Sequence, residues 1–361
     1  MRAITFIMLI LGCCCAGSGR GVVSVVDTVD GSPVAGATVI GRSGMIIGRT
    51  DGDGAISIAA DREFPLTISC IGYEALDMQQ HSDTAWLVPA AYELNDVVVT
   101  PVARPILRVI CFAREYSSGI TGTDTLQLYC EYMTESYIAE GKVKGYKKID
   151  AKPSPKGTKR YARIKKADTD SVFRPSYDDD ITQLSWFDFL AFLPEEKKAA
   201  PQAIMDGAET DSLPGKYGVK YAFRKKNNLF TVTADVLSDH KNRRWSPWLF
   251  KLLGMTVDID AGEWSFSYAA NDADTYGIRD YVKSTYNIHM VGRGKWLKKA
   301  FGTKYPIDMY TYIEMYPIEI QYCTVGEYKQ LSNEYERIPF RYPADLPPLS
   351  PEIRRLTHPS D

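Results

Sequence analysis

Residues 126–133 have the sequence LQLYCEYM, and in an extended chain every second side chain of this stretch points to the same face. One face then carries Leu126, Leu128, Cys130 and Tyr132, and the other carries Gln127, Tyr129, Glu131 and Met133. This period of two predicts a β-strand. A hairpin is predicted at 216–226 and 229–237, because Asn227-Asn228 suits a two-residue turn. The pattern therefore predicts an antiparallel sheet.

Three short helices and a second strand pair complete the predicted domain. The strands lie at 310–316 and 318–323 around Pro317, which we expect at an edge, bend or bulge. Helices are predicted at 186–193 from apolar spacing, at 248–253 behind Ser246 and Pro247, and at 295–301 before Gly302. The mixture predicts an α+β domain with a large antiparallel sheet over 105–340, followed by an extended or disordered Pro-rich tail at 341–361.

Charge divides the chain near residue 100. The 361 residues carry a formal net charge of −2, which excludes a polybasic nucleic-acid binder. The first hundred residues hold five Lys or Arg against eleven Asp or Glu, and only two of the 23 tyrosines. We therefore expect two domains with a boundary near residue 100.

The first domain shows short apolar runs separated by glycine-rich turns, with no helical spacing. Strands are predicted at 22–26, 37–40, 45–47, 55–58, 66–70, 86–88 and 97–100. Seven strands in about 80 residues predict a small immunoglobulin-like two-sheet β-sandwich over 21–100, and a mainly β chain. Asp51 and Asp53 are interpreted as turn residues that bond their own backbone. A calcium site at 51–54 is the alternative, although the distal glutamate of an EF-hand loop is missing.

Five blocks in this region resemble a known family. They are GVV at 21–23, GSPVAGATV at 31–39, TDGDG at 50–54, IGYE at 71–74 and LNDVVVT at 94–100. In order and spacing they resemble the carboxypeptidase-regulatory-like domain of Bacteroidota envelope proteins, often found ahead of TonB-dependent outer-membrane transporters. The resemblance implies a transthyretin-like sandwich with an accessory role and transfers no catalytic residue. Ala55 stands where that family usually has an aromatic residue, and the remainder of the chain resembles no family.

The N-terminus predicts export. Residues 1–20 combine Arg2, a short apolar run and small residues, which is typical of a secretory signal peptide. Residues 10–13, ILGC, resemble a lipobox, so Cys13 is a candidate for lipidation and for a lipid anchor. Cleavage near 16–18 to give a soluble protein is the alternative. We expect a periplasmic or outer-membrane-associated protein.

The four cysteines beyond the signal, Cys70, Cys111, Cys130 and Cys323, form no CxxC pair. We interpret them as small buried hydrophobic residues. A disulfide between Cys111 and Cys130 on neighbouring strands is the alternative.

Residues 142–166 contain eleven Lys or Arg in 25 positions and are predicted to form a basic hairpin with its turn at 153–157. Lys147, Lys148, Arg160 and Arg163 are the candidate contacts for an anionic polysaccharide, a lipopolysaccharide or an acidic domain. A solvated lysine-rich face is the alternative. The basic segment 295–301 is expected to pack on the sheet rather than to touch a bilayer. Sugar stacking on the aromatic residues of the second domain stays open.

No catalytic constellation is found in the sequence. His81, His240, His289 and His358 are isolated, without the paired ligands of a zinc peptidase. No GxSxG, P-loop or GxGxxG motif occurs, and Glu131 with Glu135 are interpreted as surface residues. We expect no enzyme, no cofactor and no metal.

The sequence thus predicts an exported envelope accessory protein that binds or assembles with a protein or glycan partner. The alternatives are a small outer-membrane β-barrel protein, against which the helical segments and lysine-rich strands argue, and an uncharacterised envelope hydrolase.

Overall fold

The computed structural model describes residues 20–59, 63–90, 105–139, 143, 152–179, 181, 185–194, 197–239, 243–245, 254–333, 336–344 and 346–358. The chain is mainly β and carries a large antiparallel sheet, as the sequence predicts. The predicted signal with Cys13, the strand at 97–100 and the helix at 248–253 lie outside the described residues.

Residues 20–90, called the N-terminal module here, form two small sheets. The three-stranded sheet has the order β4-β1-β7, and the four-stranded sheet has the order β3-β2-β5-β6. The strands are β1 (Arg20–Asp27), β2 (Thr38–Ile40), β3 (Ile46–Arg49), β4 (Ala55–Ala59), β5 (Leu66–Ser69), β6 (Leu76–Met78) and β7 (Thr84–Leu87). One buried cluster joins residues of both sheets, among them Val25, Val39, Ile58 and Ile68. Strand β6, with only three residues, was not predicted.

The turn at Asp51 is explained by its own backbone. The carboxylate of Asp51 accepts hydrogen bonds from the N–H of Asp53 at 3.0 Å and of Ala55 at 2.8 Å. Gly54 has a φ of +72°, a conformation that glycine adopts without steric cost. These bonds support the interpretation of this motif as a turn.

Eleven antiparallel strands form the large sheet, in the order β11-β10-β9-β8-β20-β19-β17-β15-β14-β13, with β16 paired to β17. They are β8 (Ile106–Thr121), β9 (Asp124–Ala139), β10 (Ser154–Lys165), β11 (Asp170–Phe173), β13 (Thr210–Pro214), β14 (Lys220–Lys226), β15 (Leu229–Asp235), β16 (Arg243–Trp245), β17 (Met255–Ala269), β19 (Tyr281–Gly294) and β20 (Ile307–Cys323). Two short strands, β12 (Lys198–Ala199) and β18 (Thr275–Tyr276), pair separately.

Local signals placed two features of this sheet correctly. Asn227 and Asn228 have φ values of +53° and +59° and join β14 to β15 in a two-residue turn. The two strands expected around Pro317 are one strand, β20, whose register against β8 shifts between Pro317 and Glu319. Proline lacks the N–H that a regular ladder needs, so the predicted bulge is confirmed.

Five α-helices and two 3₁₀ segments accompany the sheets in the described part of the chain. They are α1 (Phe187–Leu190), α2 (Gln202–Met205), α3 (Lys295–Phe301), α4 (Val325–Asn333) and α5 (Pro351–Thr357), with 3₁₀ turns at Lys216–Gly218 and Ile278–Asp280. Helix α3 ends at Gly302, whose φ is +65°, as predicted. None of these helices has the length and apolar character needed to cross a membrane.

The two faces of the large sheet differ in composition. Its apolar face carries the predicted set Leu126, Leu128, Cys130 and Tyr132, which belong to the main buried cluster with Trp186, Phe187 and Leu190. The opposite face, called the module face here, carries Gln127 and Tyr129 and is covered by the N-terminal module and the C-terminal segment. The predicted alternation over 126–133 is therefore confirmed.

Residues 185–194, called the strap here, cross the apolar face. The predicted helix over 186–193 is shorter than expected, because Ala191 is already extended (φ −77°, ψ 132°). The buried carboxylate of Glu115 holds the start of the strap by accepting hydrogen bonds from four groups: the N–H of Trp186 and the hydroxyls of Ser185, Tyr132 and Ser117. The hydroxyl of Tyr286 holds the end of the strap through the backbone of Phe192. These tertiary hydrogen bonds hold the strap at both ends, and its extended part spans a distance that a shorter helix would not cover.

Two further predictions are corrected. The turn expected at 153–157 does not form, because Ser154–Lys165 is one strand that absorbs its proline in a register shift between Pro155 and Gly157. The C-terminal segment is not extended throughout: Ser350 caps α5 by accepting from the N–H of Ile353 at 3.3 Å, and proline occupies the first helical turn.

Candidate functional site

Polar contacts hold the N-terminal module on the module face of the large sheet. The ammonium of Lys226 lies 2.9 Å from the carboxylate of Asp27 and also pairs with Asp30. Burial opposes ionisation of Asp27, but Lys226 and the N–H of Val29 hold the pKa of that carboxyl below its usual range. The segment of the module around Asp27 and Asp30 is therefore attached to the sheet by ion pairs with Lys226.

Two further contacts lie nearer the middle of the module. The guanidinium of Arg49 lies 2.9 Å from the carboxylate of Glu263, and the hydroxyl of Thr38 donates to Oδ1 of Asn287 at 2.8 Å. Burial raises the pKa of Glu263, and Arg49 acts against this rise. Beyond them, a small apolar cluster that includes Ile46 packs the module against the sheet.

A cleft of about 620 Å³ lies between these contacts and the edge of the sheet. Its volume is in the range of small-ligand sites in proteins. The module contributes one wall, and β13, β14, β15, β17 and β19 contribute the other. Polar side chains of the sheet line the cleft, with apolar residues beside them. The polar set is Glu209, Asp211, Arg224, Thr231, Thr233, Glu263, Ser265, Thr285 and Asn287, and the sheet adds Ala222, Phe223 and Tyr312 of β20. The module adds Ser32, Ser69 and Tyr73 together with Pro33, Ala35 and Ile71.

Hydroxyl groups form the floor of the cleft. Thr233 and Ser265 are directly opposite on β15 and β17, and their hydroxyls lie 2.8 Å apart. Thr231 and Ser267 repeat this arrangement at 2.9 Å. Thr285 continues the row on β19, opposite Ser265. Because a hydroxyl can both donate and accept, each pair keeps acceptor capacity for a ligand.

The charged groups of the cleft are mostly compensated. The guanidinium of Arg224 lies 3.5 Å from the carboxylate of Glu209, and Glu263 is paired with Arg49. Asp211 has no cationic partner among the residues that the structure describes. The cleft therefore offers no uncompensated positive charge from its lining residues.

A smaller cavity of about 350 Å³ lies on the other side of the Arg49 and Asn287 contacts. Arg49 and Asn287 line it together with His289 and Tyr310. The His289 ring stacks on Tyr310 at 4.1 Å and its Nε2 lies 2.6 Å from Asp308. Because Asn287 lines both spaces, its contact with Thr38 forms part of the wall between them.

A buried ion network lies beside the cleft on the module face. Glu314 is fully buried, pairs with Arg114, and lies 3.1 Å from the ammonium of Lys283. The hydroxyls of Tyr312 and Tyr316 each donate to it at 2.9 Å. Burial alone would raise the pKa of Glu314, but Arg114 and Lys283 lower it to about 2. The carboxylate is thus ionised at neutral pH and holds three strands together.

The two arginines of the predicted basic site lie on opposite faces of the sheet. Lys147 and Lys148 lie outside the described residues. Arg160 is opposite Cys130, on the apolar face, and stacks over the ring of Tyr177 at 3.9 Å. Arg163 is opposite Gln127, on the module face, and forms a two-point pair with Asp170. Residues three apart on a strand point to opposite faces, so the structure does not bring these two arginines together.

The residues weighed for chemistry lie apart in the described structure. No group of three or more His, Cys, Asp or Glu side chains among the described residues could hold a metal ion. His81 lies on the module, His289 on β19 and His358 after α5, while His240 falls outside the described part. The thiols of Cys70, Cys111, Cys130 and Cys323 are free. Cys111 and Cys130 do lie on neighbouring strands, but Cys111 is opposite Thr134.

Comparison with known proteins gives little. No family model and no curated protein matches the sequence. Among solved structures, the chain is similar to lipovitellin, described there for its lipid–protein interactions, with a TM-score of 0.30 and 12% identity. The match covers 61% of this chain and 26% of that one, so the chain spans about a quarter of lipovitellin. A similarity at this level carries no argument about function.

The cleft residues were not predicted from the sequence, although the sequence carries a signal for them. The three floor strands each place polar side chains two positions apart: Thr231 and Thr233, Ser265 and Ser267, Thr285 and Asn287. Such spacing predicts one polar face per strand. It does not reveal that the three faces are neighbours, because that depends on strand order.

Proposed function

We propose that this chain is an exported accessory protein of the bacterial cell envelope that binds a protein or glycan partner and has no catalytic activity of its own. The signal-like N-terminus and the five blocks that resemble the carboxypeptidase-regulatory-like family support export and an accessory role. The proposal includes a seven-stranded transthyretin-like sandwich for the N-terminal module. Two small sheets around a shared buried cluster are consistent with that fold.

The observation that carries the proposal is the cleft of about 620 Å³ between the module and the sheet. The module rests on the sheet through a few polar contacts and one small apolar cluster, which leaves a space that neither part forms alone. When an accessory domain forms one wall of a cleft on a larger domain, the two together provide a binding site for a partner. We therefore assign partner binding to this cleft.

Photo-crosslinking from within the cleft tests this function. Ala222 is exposed and lines the cleft, so benzoylphenylalanine at this position should form adducts in cells of the native host. Ala203, exposed on α2 and absent from the lining, is the matched control position. We expect adducts from position 222 in the envelope fraction and none from position 203. Equal labelling at both positions, or no adduct at 222, would contradict the proposal.

A further inference from the structure

From the lining of the cleft we infer that its ligand is a neutral oligosaccharide. This inference rests on the proposed function and names the class of ligand for the same site. Three observations carry it: the hydroxyl floor, the compensated charges and the amide of Asn287 at the inner wall.

The floor favours a ligand that is covered with hydroxyl groups. Thr231, Thr233, Ser265 and Thr285 present side-chain oxygens across three adjacent strands, with the amide of Asn287 next to them. The backbone groups of the central strands β15, β17 and β19 are used in the sheet ladder. A ligand on this floor is therefore recognised through side-chain hydroxyls and amides, which form the donor and acceptor pairs that sugar hydroxyls require.

Charge argues against an anionic ligand. Arg224 and Arg49 already lie beside Glu209 and Glu263, and Asp211 adds a carboxylate without a cationic partner among the described residues. An anion placed here would meet uncompensated negative charge and would leave its own charge unpaired, which is costly in a partly desolvated site. The charges of the lining therefore argue against an anionic ligand.

The amide of Asn287 lies at the wall between the cleft and the smaller cavity. Its Oδ1 accepts from Thr38, which turns Nδ2 away from that bond. Nδ2 has no hydrogen-bond partner among the described residues, and Asn287 lines the cleft. A sugar hydroxyl or ring oxygen at this position would complete its bonding.

Calorimetric titration of the full chain with four neutral hexasaccharides, maltohexaose, cellohexaose, mannohexaose and chitohexaose, tests the inference. We expect at least one to bind. Ala222→Trp fills the cleft and should weaken that binding at least tenfold. Thr233→Val removes one hydroxyl without changing the shape of the side chain and should weaken it about two- to tenfold.

Two control variants match these changes outside the cleft. Ala203→Trp adds the same bulk on α2, and Thr256→Val removes an exposed hydroxyl on β17 that does not line the cleft. Both should leave affinity within about twofold of the parent chain. Circular dichroism of every variant establishes that the fold is retained.

The outcomes separate this inference from the proposed function. Absence of binding by all four sugars at concentrations up to about 10 mM, or binding that Ala222→Trp leaves unchanged, overturns the sugar assignment. If adducts at position 222 are then digested by protease, the partner is a protein and the cleft function stands without the sugar. If no adduct forms at position 222, the cleft function fails as well. Stronger binding of dextran sulfate than of any neutral sugar, lost in Ala222→Trp, would also overturn the inference.

Discussion

Replacing Glu314 by Gln should lower the free energy of unfolding by about 3 kcal/mol at pH 7. The substitution keeps the size of the side chain but removes the charge that balances Arg114 and Lys283, which lies 3.1 Å away and is itself fully buried. A pKa lowered from 4.5 to about 2 corresponds to about 3 kcal/mol of preference for the ionised form. This agrees with the ~3–5 kcal/mol typical of breaking a buried ion pair.

Urea denaturation followed by circular dichroism measures this effect, with Asp170→Asn as the control. Asp170 pairs with Arg163 at 2.7 Å, but the pair is exposed to solvent. The control should change the unfolding free energy by no more than about 1 kcal/mol. Both variants lose one carboxylate beside an arginine, so the contrast compares a buried ion network with a single exposed pair.

The pH dependence follows from the direction of the pKa change. Because the pKa of Glu314 is lower in the folded chain, its contribution is fully present above about pH 4.5 and is lost as pH falls toward 2. The difference between the parent chain and Glu314→Gln should therefore shrink to about 1 kcal/mol at pH 3. A difference below about 1 kcal/mol at pH 7, or one that does not shrink in acid, would refute the assignment of the network to Glu314.

Three further predictions follow. Lys226→Met should lower the unfolding free energy by about 1–2 kcal/mol, because it removes the cation beside the buried carboxylate of Asp27; an unchanged urea midpoint would contradict this. Glu115→Ala should accelerate amide hydrogen exchange in the strap at least tenfold, since four donors lose their acceptor; exchange at the parent rate would show that apolar packing alone holds the strap. Asn228→Gly should raise the thermal midpoint, with a gain of up to about 1 kcal/mol, because glycine adopts the φ of +59° without steric cost; a lower midpoint would argue against the turn geometry.

Features set by neighbouring residues were predicted well. The period of two explains the two faces over 126–133, and the positive φ of Asn227 and Asn228 explains their turn. The missing N–H of proline explains the bulge at Pro317. Six of the seven strands predicted in the first domain correspond to β1–β5 and β7. In each case the deciding chemistry lies within a few residues along the chain.

Features decided by competition between local signals were predicted less well. The prolines near the C-terminus suggested an extended tail, yet Ser350-Pro351 is also a good start for a helix, and α5 begins there. Pro153 and Pro155 suggested a turn, but β10 begins at Ser154 and continues through Pro155 with a register shift between Pro155 and Gly157. The number of prolines does not distinguish a tail from a helix, or a turn from a bulged strand. The position of each proline relative to a capping residue or a sheet edge does.

The cleft depends on strand order, which no local pattern contains. Strands β15, β17 and β19 are adjacent although β16 and β18 intervene in sequence, so their polar faces merge only in the folded sheet. The apolar face of the same sheet is sealed by the strap, because apolar surface is driven out of water. A hydroxyl face has no such drive. The module contacts the sheet through the ion pairs of Arg49 and Lys226, through hydrogen bonds such as Thr38–Asn287, and through one small apolar cluster. Apolar side chains in place of Thr233 and Ser265 would add a drive for the module to pack against the floor, which the hydroxyl groups do not supply.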